Sequence, residues 1–471
     1  NSVDAATGLF IVNDQDERVN GVKRNGIVRR ASVNSHNFVG SLINLKKKLN
    51  DKFSLDFGVD IRSYKGIHYR RLDNLLGADG YRDFDNKNYA DKSINGKGSA
   101  VRTTEYSSNL GSLWNVFRDT DKEEKIDYHN DGLVRWTGVF TQLKYKHNNV
   151  AAFFQGAFSN QGFQRIEYFN QVGTATSSWK NITGGNVKAG VNYNFDIKSN
   201  VYVNGGYYSK QPNFDAVYIN YSNTLNPDLK NETVTGMEAG YGYVSSKLRM
   251  NLNVYKTTWE DRFLSDGVRT STGESGTANY YGIKQIHSGF EFDGEYQISP
   301  FVTVQGMVSL GNYEYGSDVT AVVFDDSRVN IGTSTLYLDG VKVGDAAQTT
   351  SRINLKVSPT DLFGFNVSMF SASELYAYFN PEDFDTDGDM AMQIPSYELF
   401  DFGASYKLSI SKEKIYLRLN VNNLFDTHYI AESSTNILAS PGDPTWLGVH
   451  ELNRVFPGWG RTWNLGVTYR F

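Results

Sequence analysis

Cysteine is absent from all 471 residues, and proline occurs only nine times. Without cysteine there is no disulfide framework and no thiolate metal site. No run approaches the roughly 20 consecutive apolar residues that a membrane helix needs. An excess of positive charge is missing too: 47 Lys and Arg stand against 52 Asp and Glu. That balance argues against nucleic acid as a partner, which requires a basic footprint. No initiator Met and no basic-then-apolar leader is legible at the start, Asn1-Ser2-Val3. What the chain does have is 44 Gly, 30 Tyr and 29 Phe. None of these features excludes a transmembrane β-barrel, which crosses with about 10 residues per strand, half of them polar.

Strand periodicity is explicit in several places. Phe53, Leu55, Phe57, Val59 and Ile61 alternate with Ser54, Asp56, Gly58 and Asp60. Leu248, Met250, Leu252 and Val254 alternate with Arg249, Asn251 and Asn253, and Ile415, Leu417, Leu419 and Val421 with Tyr416, Arg418 and Asn420. Period two gives each strand one apolar and one polar face. The final residues keep the same rhythm, Trp463, Leu465, Val467, Tyr469 and Phe471, where a soluble domain would fray into polar sequence.

The pattern predicts fifteen strands, at 30–49, 52–71, 133–146, 150–167, 183–195, 201–210, 231–244, 247–264, 279–298, 301–316, 348–357, 363–378, 396–410, 414–430 and 460–471. Tight links such as Asn50-Asp51, Ser245-Ser246 and Ser299-Pro300 take turns with long ones at 72–132, 168–182, 211–230, 265–278, 317–347, 379–395 and 431–459. A soluble β-protein has no reason to collect its long loops on one side, whereas outer-membrane barrels have short periplasmic turns and long outward loops. The expected class is therefore all-β, a transmembrane antiparallel β-barrel surrounded by outer-membrane lipid. By the same parity the last strand runs inward, strand 30–49 runs inward too, and residues 1–26 lie on the outer side. An odd strand count starting outside predicts further strands before this stretch, so residues 1–471 read as one barrel domain incomplete at its N-terminus.

Residues 414–429, "KIYLRLNVNNLFDTHY", resemble the penultimate-strand signature of TonB-dependent outer-membrane receptors, at Asn423, Leu424, Phe425, Asp426 and Tyr429. The closing "GRTWNLGVTYRF" is similar to that family's last strand, with Phe471 in the place of the aromatic end read by the barrel-assembly machinery. "NPDLKNETVTGMEAGYGY" (226–243) and "SYELFDFGASYKL" (396–408) resemble family segments at the matching distances from the C-terminus. The long loops are similar in style to those of Bacteroidetes receptors. The resemblance implies 22 strands, of which these are the eighth to the twenty-second. It also implies an N-terminal plug with a TonB-binding box; neither is visible here, and loop 72–132 is too short and too polar to be the plug.

The outer loops carry the ligand-binding candidates, since loops on a rigid scaffold do recognition. They are Tyr81, Tyr89, Tyr106, Trp114 and Tyr128, with Phe117 beside them, and Trp446 and Phe456, with Trp459 beside them. Such rings stack on ligands or partners, and they equally pack loop against loop. "DFDTDGD" (383–389) places Asp383, Asp385, Asp387 and Asp389 at alternate positions around Gly388, the first half of a calcium loop. Position twelve is Ile394 rather than glutamate, so a solvated acidic tip is the simpler reading. No cofactor is required by this reading, and structural calcium is the one metal expectation. The seven histidines show no H-x-x-x-H spacing; His36 and His68 are expected on neighbouring strands, where a lone pair of barrel histidines is more often structural than ligating. No nucleophile elbow appears, so an enzyme is not expected. Asp56, Asp60, Arg62, Arg249, Asn251, Asn253, Arg418, Asn420 and Asn422 are expected to face the lumen.

The resemblance implies an active importer of a scarce nutrient: siderophore, haem, cobalamin, glycan or peptide. TonB would act through the plug, and a surface lipoprotein is a further candidate partner, although the closing motif differs from that of the glycan importers that use one. The alternative is a passive porin-like or adhesive, ligand-binding barrel.

Overall fold

The computed structural model describes residues 8–13, 18–19, 22–23, 27–94, 97–106, 119–219, 222–269, 273–325, 329–378, 381–410 and 413–470. Trp114, Phe117 and Phe471 lie outside these.

Fifteen long strands build one antiparallel barrel wall: β1 (Arg29–Lys48), β2 (Phe53–Asn74), β3 (Ile126–His147), β4 (Val150–Glu167), β5 (Lys180–Asn194), β6 (Ser199–Lys210), β7 (Glu232–Val244), β8 (Leu248–Arg269), β9 (Ser275–Ser299), β10 (Val302–Tyr315), β11 (Thr349–Val357), β12 (Phe363–Ser373), β13 (Tyr397–Ile410), β14 (Glu413–Asn422) and β15 (Thr462–Arg470). Each pairs with the next in sequence, so the predicted up-and-down order holds throughout. β15 and β1 flank the seam of the barrel. Among the described residues no ladder registers one on the other, and both are exposed along nearly their whole length.

Local chemistry sets the tight turns. Asn50 accepts from the Lys52 and Phe53 amides through its side chain, Asp196 does the same for Lys198 and Ser199, and Asn148 adopts the left-handed conformation that asparagine tolerates. These turns hold each hairpin in one register, and register decides which face every side chain takes. Phe57, Ile61, Phe158, Val191, Val203, Val254, Leu465 and Val467 project outward and exposed. Such an apolar belt fits hydrocarbon. The predicted inward residues face the lumen and pair there: Arg62 with Asp60, Lys144 with Asp56, Asn251 with Asp293, Asn253 with Glu291, Asn420 with Asn464, and Asn422 with Thr462.

The long-loop end differs from expectation in being far more structured. The expected loop 265–278 is mostly strand, because β8 and β9 run on to Arg269 and back from Ser275. Loop 317–347 carries a hairpin, Val319–Phe324 with Asn330–Leu336, which pairs with the outer extension of β9 at Thr277–Asn279. Within 72–132, Gly80–Asp83 pairs with Lys97–Arg102 and, in parallel, with Ile11–Asn13. That pairing puts the early residues at the long-loop end, as parity requires. Among the described residues the packed apolar clusters lie in this layer, around Tyr280 and Leu336, Ile394 and Ile430, Leu72 and Tyr81, and Phe163 and Val217. Loop segments can bury side chains against each other, whereas the wall faces lipid on one side and lumen on the other.

Two strand ends were read too long. β12 stops at Ser373, before Glu374 with positive φ, and β14 stops at Asn422 rather than residue 430. The cause of the second is the "NNLFD" motif itself. Asn423 and Asp426 adopt positive φ, which Asn and Asp accept more readily than other residues. The Asn423 side chain accepts from the Thr427 amide and donates to the Thr427 and Trp459 carbonyls, and Asp426 accepts from the Arg461 amide. The Tyr429 ring lies against Gly458, where a Cβ would come within 1.9 Å of it. The motif is thus a clamp that returns the chain from β14 into β15.

A candidate binding chamber at the mouth of the lumen

Registers at the outer ends of β1 to β4 bring a set of side chains to one lumenal surface. Asn34 lies opposite His68, His36 opposite Gly66, and Gly66 opposite Gly132. Asn34, His68, Gly66 and Gly132, with Tyr64, Tyr128, Asn130 and Arg165, wall a cavity of about 850 Å³, and His36 lies outside this lining. A one-turn helix, Phe214–Val217, dips over it; Asn213 starts the turn by accepting from the Ala216 amide. Glycine lets side chains close in on the wall: a Cβ on Gly132 would sit 3.1 Å from the Phe214 ring, and one on Gly66 2.8 Å from the Tyr64 hydroxyl. Asp215, Tyr218, Phe263, Leu264 and Ser265 complete the lining. Arg165 is buried and held by Glu167 and Asn223, which fixes one positive charge at the rim. The mixture of rings, amides and one anchored cation suits a partly polar, partly aromatic ligand.

The loop candidates have different surroundings. Tyr128 reaches the chamber and lies under the Arg70 guanidinium, 5.2 Å from ring centroid to charge. Tyr81 is buried; it donates to Asp127 and accepts from Arg30. Tyr89, also buried, donates to Asp83 and packs under Arg102. Tyr106 accepts from the Glu124 amide and packs under Arg71. These three rings therefore touch the protein itself. Trp446, Phe456 and Trp459 are exposed in the last loop.

In the 383–389 loop, Asp389 accepts from the Thr386 amide and Asp385 from the Thr386 hydroxyl, while Asp387 is exposed. Asp383 is half-buried beside buried Phe384. Among the described residues, carboxylates come within 4.8 Å of one another at Asp83, Asp85 and Asp127. Asp127 there already binds Arg30, Arg70 and Tyr81. Desolvation raises the Asp83 carboxyl above its usual range, against the Tyr89 hydroxyl, which lowers it.

His129, at the loop end of β3 beyond its lipid-facing stretch, stacks on Tyr168 with centroids 4.0 Å apart. Burial, reinforced by Lys125, pushes its imidazole down to about 4. An unfolded segment takes up that proton near pH 6.5. The stability that neutral His129 contributes is thus complete above about 6.5 and lost as pH falls toward 4. Amide exchange at 126–131 and 167–170, corrected for intrinsic rates, is expected to speed up several-fold from pH 7 to 5; His129→Phe should flatten that dependence.

Sequence reasoning did not find the chamber. His36 and His68 were visible as neighbours, and the Asn50-Asp51 turn fixes their register, which was the available signal. Nothing local announces that residues 214–218 fold over them.

A lipid-faced β-wall with a loop-covered chamber at one end of its lumen defines a membrane receptor barrel. Residues 4–424 match the family model described as TonB dependent receptor-like, beta-barrel. The chain belongs to the TonB-dependent receptor family. No curated protein matches its sequence. Among solved structures it is similar to the copper transporter OprC (14% identity, TM-score 0.61, 93% of this chain and 57% of that one). It is similar also to the ferric-catecholate import receptor Fiu from K12 E. coli (14%, TM-score 0.55, 93% and 55%) and to the ferric yersiniabactin uptake receptor FyuA from Yersinia pestis (13%, TM-score 0.56, 95% and 56%). These likenesses concern the fold, and the chain spans little more than half the length of each. Family and neighbours are receptors and transporters, not enzymes.

Proposed function

We propose that the chain is the barrel portion of an active importer in a Gram-negative outer membrane, coupled to TonB through a plug encoded outside residues 1–471. The carrying observation is the chamber: a cavity of about 850 Å³ between the outer loop layer and the lumen, lined by rings and polar groups, in a TonB-receptor barrel. The exposed seam strands and the length of the solved neighbours support additional strands completing the wall. Neighbours named for copper, ferric-catecholate and ferric yersiniabactin transport make a metal-bearing nutrient the favoured cargo over glycan or peptide.

The test is uptake of radiolabelled copper and of ferric chelates into cells with and without the intact gene under metal limitation. A gene-dependent uptake that falls at least tenfold on adding a protonophore is expected. Gene-dependent entry that persists without the proton gradient would instead establish the passive porin-like barrel.

A further inference from the structure

The chamber wall carries an arrangement that general ligand binding does not require. His36 Nδ1 lies 2.6 Å from the Tyr64 hydroxyl, with the two rings stacked at 5.7 Å. A Cβ on Gly66 would be 2.8 Å from that same hydroxyl and 2.9 Å from His68 Nε2. Both atoms therefore lie within 3 Å of one point above Gly66, and His36 Nδ1, from the adjacent strand, adjoins the first of them. His68 makes no hydrogen bond through its ring among the described residues. It is half-buried and lines the chamber, as Tyr64 does, while His36 is exposed at the edge.

We propose that His36, Tyr64 and His68 form a binding site for a first-row transition-metal ion, held through His36 Nδ1, Tyr64 Oη and His68 Nε2; its biological role rests on the import reading above. Two neutral imidazoles suit Cu²⁺, Zn²⁺ and Ni²⁺, and a phenol that loses its proton adds an anionic oxygen. By the affinity order of divalent ions Cu²⁺ is the tightest probe. Binding breaks the His36–Tyr64 hydrogen bond and releases the phenol proton to water, and the two rings separate slightly to admit the ion. The site does not suit haem, because its two imidazoles rise from adjacent strands on the same face of the wall and cannot sit on opposite faces of a macrocycle. Gly66 keeps the approach between the two side chains open, since a Cβ there would lie within 3 Å of both ligand atoms. Asp215 on the covering helix lines the same chamber and adds negative charge facing His68, whereas Arg165 opposes it.

Calorimetric titration of the untagged protein in detergent with Cu²⁺ tests the assignment, without any need for TonB. One tight site per chain is expected. Losing an outer-sphere partner alone costs about 10–100-fold in metal affinity, so His36→Ala and His68→Ala should each weaken binding at least that much. Tyr64→Phe preserves the ring and should abolish a phenolate-to-copper charge-transfer band that the unaltered protein shows. His428→Ala, in the last loop, serves as the unaffected control. Unchanged stoichiometry and affinity in the His36→Ala/His68→Ala double variant, with its heat-modifiable barrel mobility retained, would overturn the proposal. Failure here with protonophore-sensitive uptake intact removes the metal site alone; tight binding with protonophore-insensitive uptake removes the coupled-import reading alone.

Discussion

Replacing Glu123 by alanine is expected to open the outer loop layer while leaving the barrel wall intact. The Glu123 carboxylate is buried with Arg71, whose Nη1 donates to it at 2.8 Å, and it also accepts from the Tyr69 hydroxyl at 2.5 Å. Arg71 and Tyr69 are themselves almost wholly buried. Taking away one partner of a buried ion pair costs about 3–5 kcal/mol, because the other charge loses its compensation without regaining water. The penalty falls on the segment that joins residues 119–127 to β2. Hydrogen exchange around residues 69–75 and 122–127 should rise by two orders of magnitude or more, and proteases should cut within 75–125. Glu123→Gln keeps the shape and one of the two acceptor oxygens, its NH2 replacing the other, so its loss should be smaller, about 1–3 kcal/mol for weakened hydrogen bonding to a charge. Amides of β13 and β14, far along the wall, should be unaffected in both variants. Exchange in Glu123→Ala equal to that of the unaltered protein would show that water already reaches the pair.

Gly344→Ala is expected to be the most damaging glycine substitution in the loop layer. A Cβ there would fall 1.9 Å from the Ala377 carbonyl oxygen, 2.7 Å from its carbon and 3.2 Å from the Tyr378 Cα. All three are backbone atoms, so no side-chain rotation can relieve the clash. The two segments are joined close by through the Asp345 amide on the Tyr376 carbonyl, and the Val343 amide on the Tyr313 carbonyl ties the same loop to β10. Residues 375–377 in turn pair with 392–394 and help bury Leu375, Met392, Ile394 and Ile430. Overpacking at a tight contact costs about 1–3 kcal/mol, more where the obstacle is backbone. The matched control is Gly340→Ala. Gly340 has positive φ but nothing within 4 Å of its Cβ position, so it carries only the left-handed penalty of about 1–2 kcal/mol. Exchange at Ala377, Met392 and Ile394 should rise sharply in Gly344→Ala and little in Gly340→Ala; equal effects would mean that loop 344 moves aside freely.

How much of this was legible beforehand follows from the range over which each interaction acts. Alternation at 53–61, 248–254 and 415–421 is a property of adjacent residues, and every one of the fifteen segments became a strand. Asn50 and Asp196 hold their turns with their own side chains, so the hairpins joined where expected. The strand ends were harder. β14 looked continuous to residue 430 because Leu424, Phe425 and Tyr429 are apolar, yet Asn423 turns the chain by binding Trp459, 36 residues away. The 265–278 stretch, rich in Gly and Ser, read as loop. It continues as strand because the Val319–Phe324 hairpin pairs on its edge and covers Ala278 and Tyr280.

The sequence by itself determined the wall: strand number, order, the lipid-facing and lumenal sets, and the side on which the long loops gather. Period two and short turns settle all of these locally, and the antiparallel ladder leaves a hairpin no other register that keeps apolar residues toward lipid. The tertiary structure alone decided what the loops do. Tyr81, Tyr89 and Tyr106 are rings like Tyr128, but the first three are committed to Asp127, Asp83 and Glu124 while the fourth opens on the chamber. The helix at 214–217 closes over a wall far earlier in the chain, its Phe214 ring lying against Gly132, 82 residues before it. Such choices depend on contacts between distant segments, where a ring is equally content against a guanidinium, a glycine or a ligand, and only the folded arrangement of all the loops selects among them.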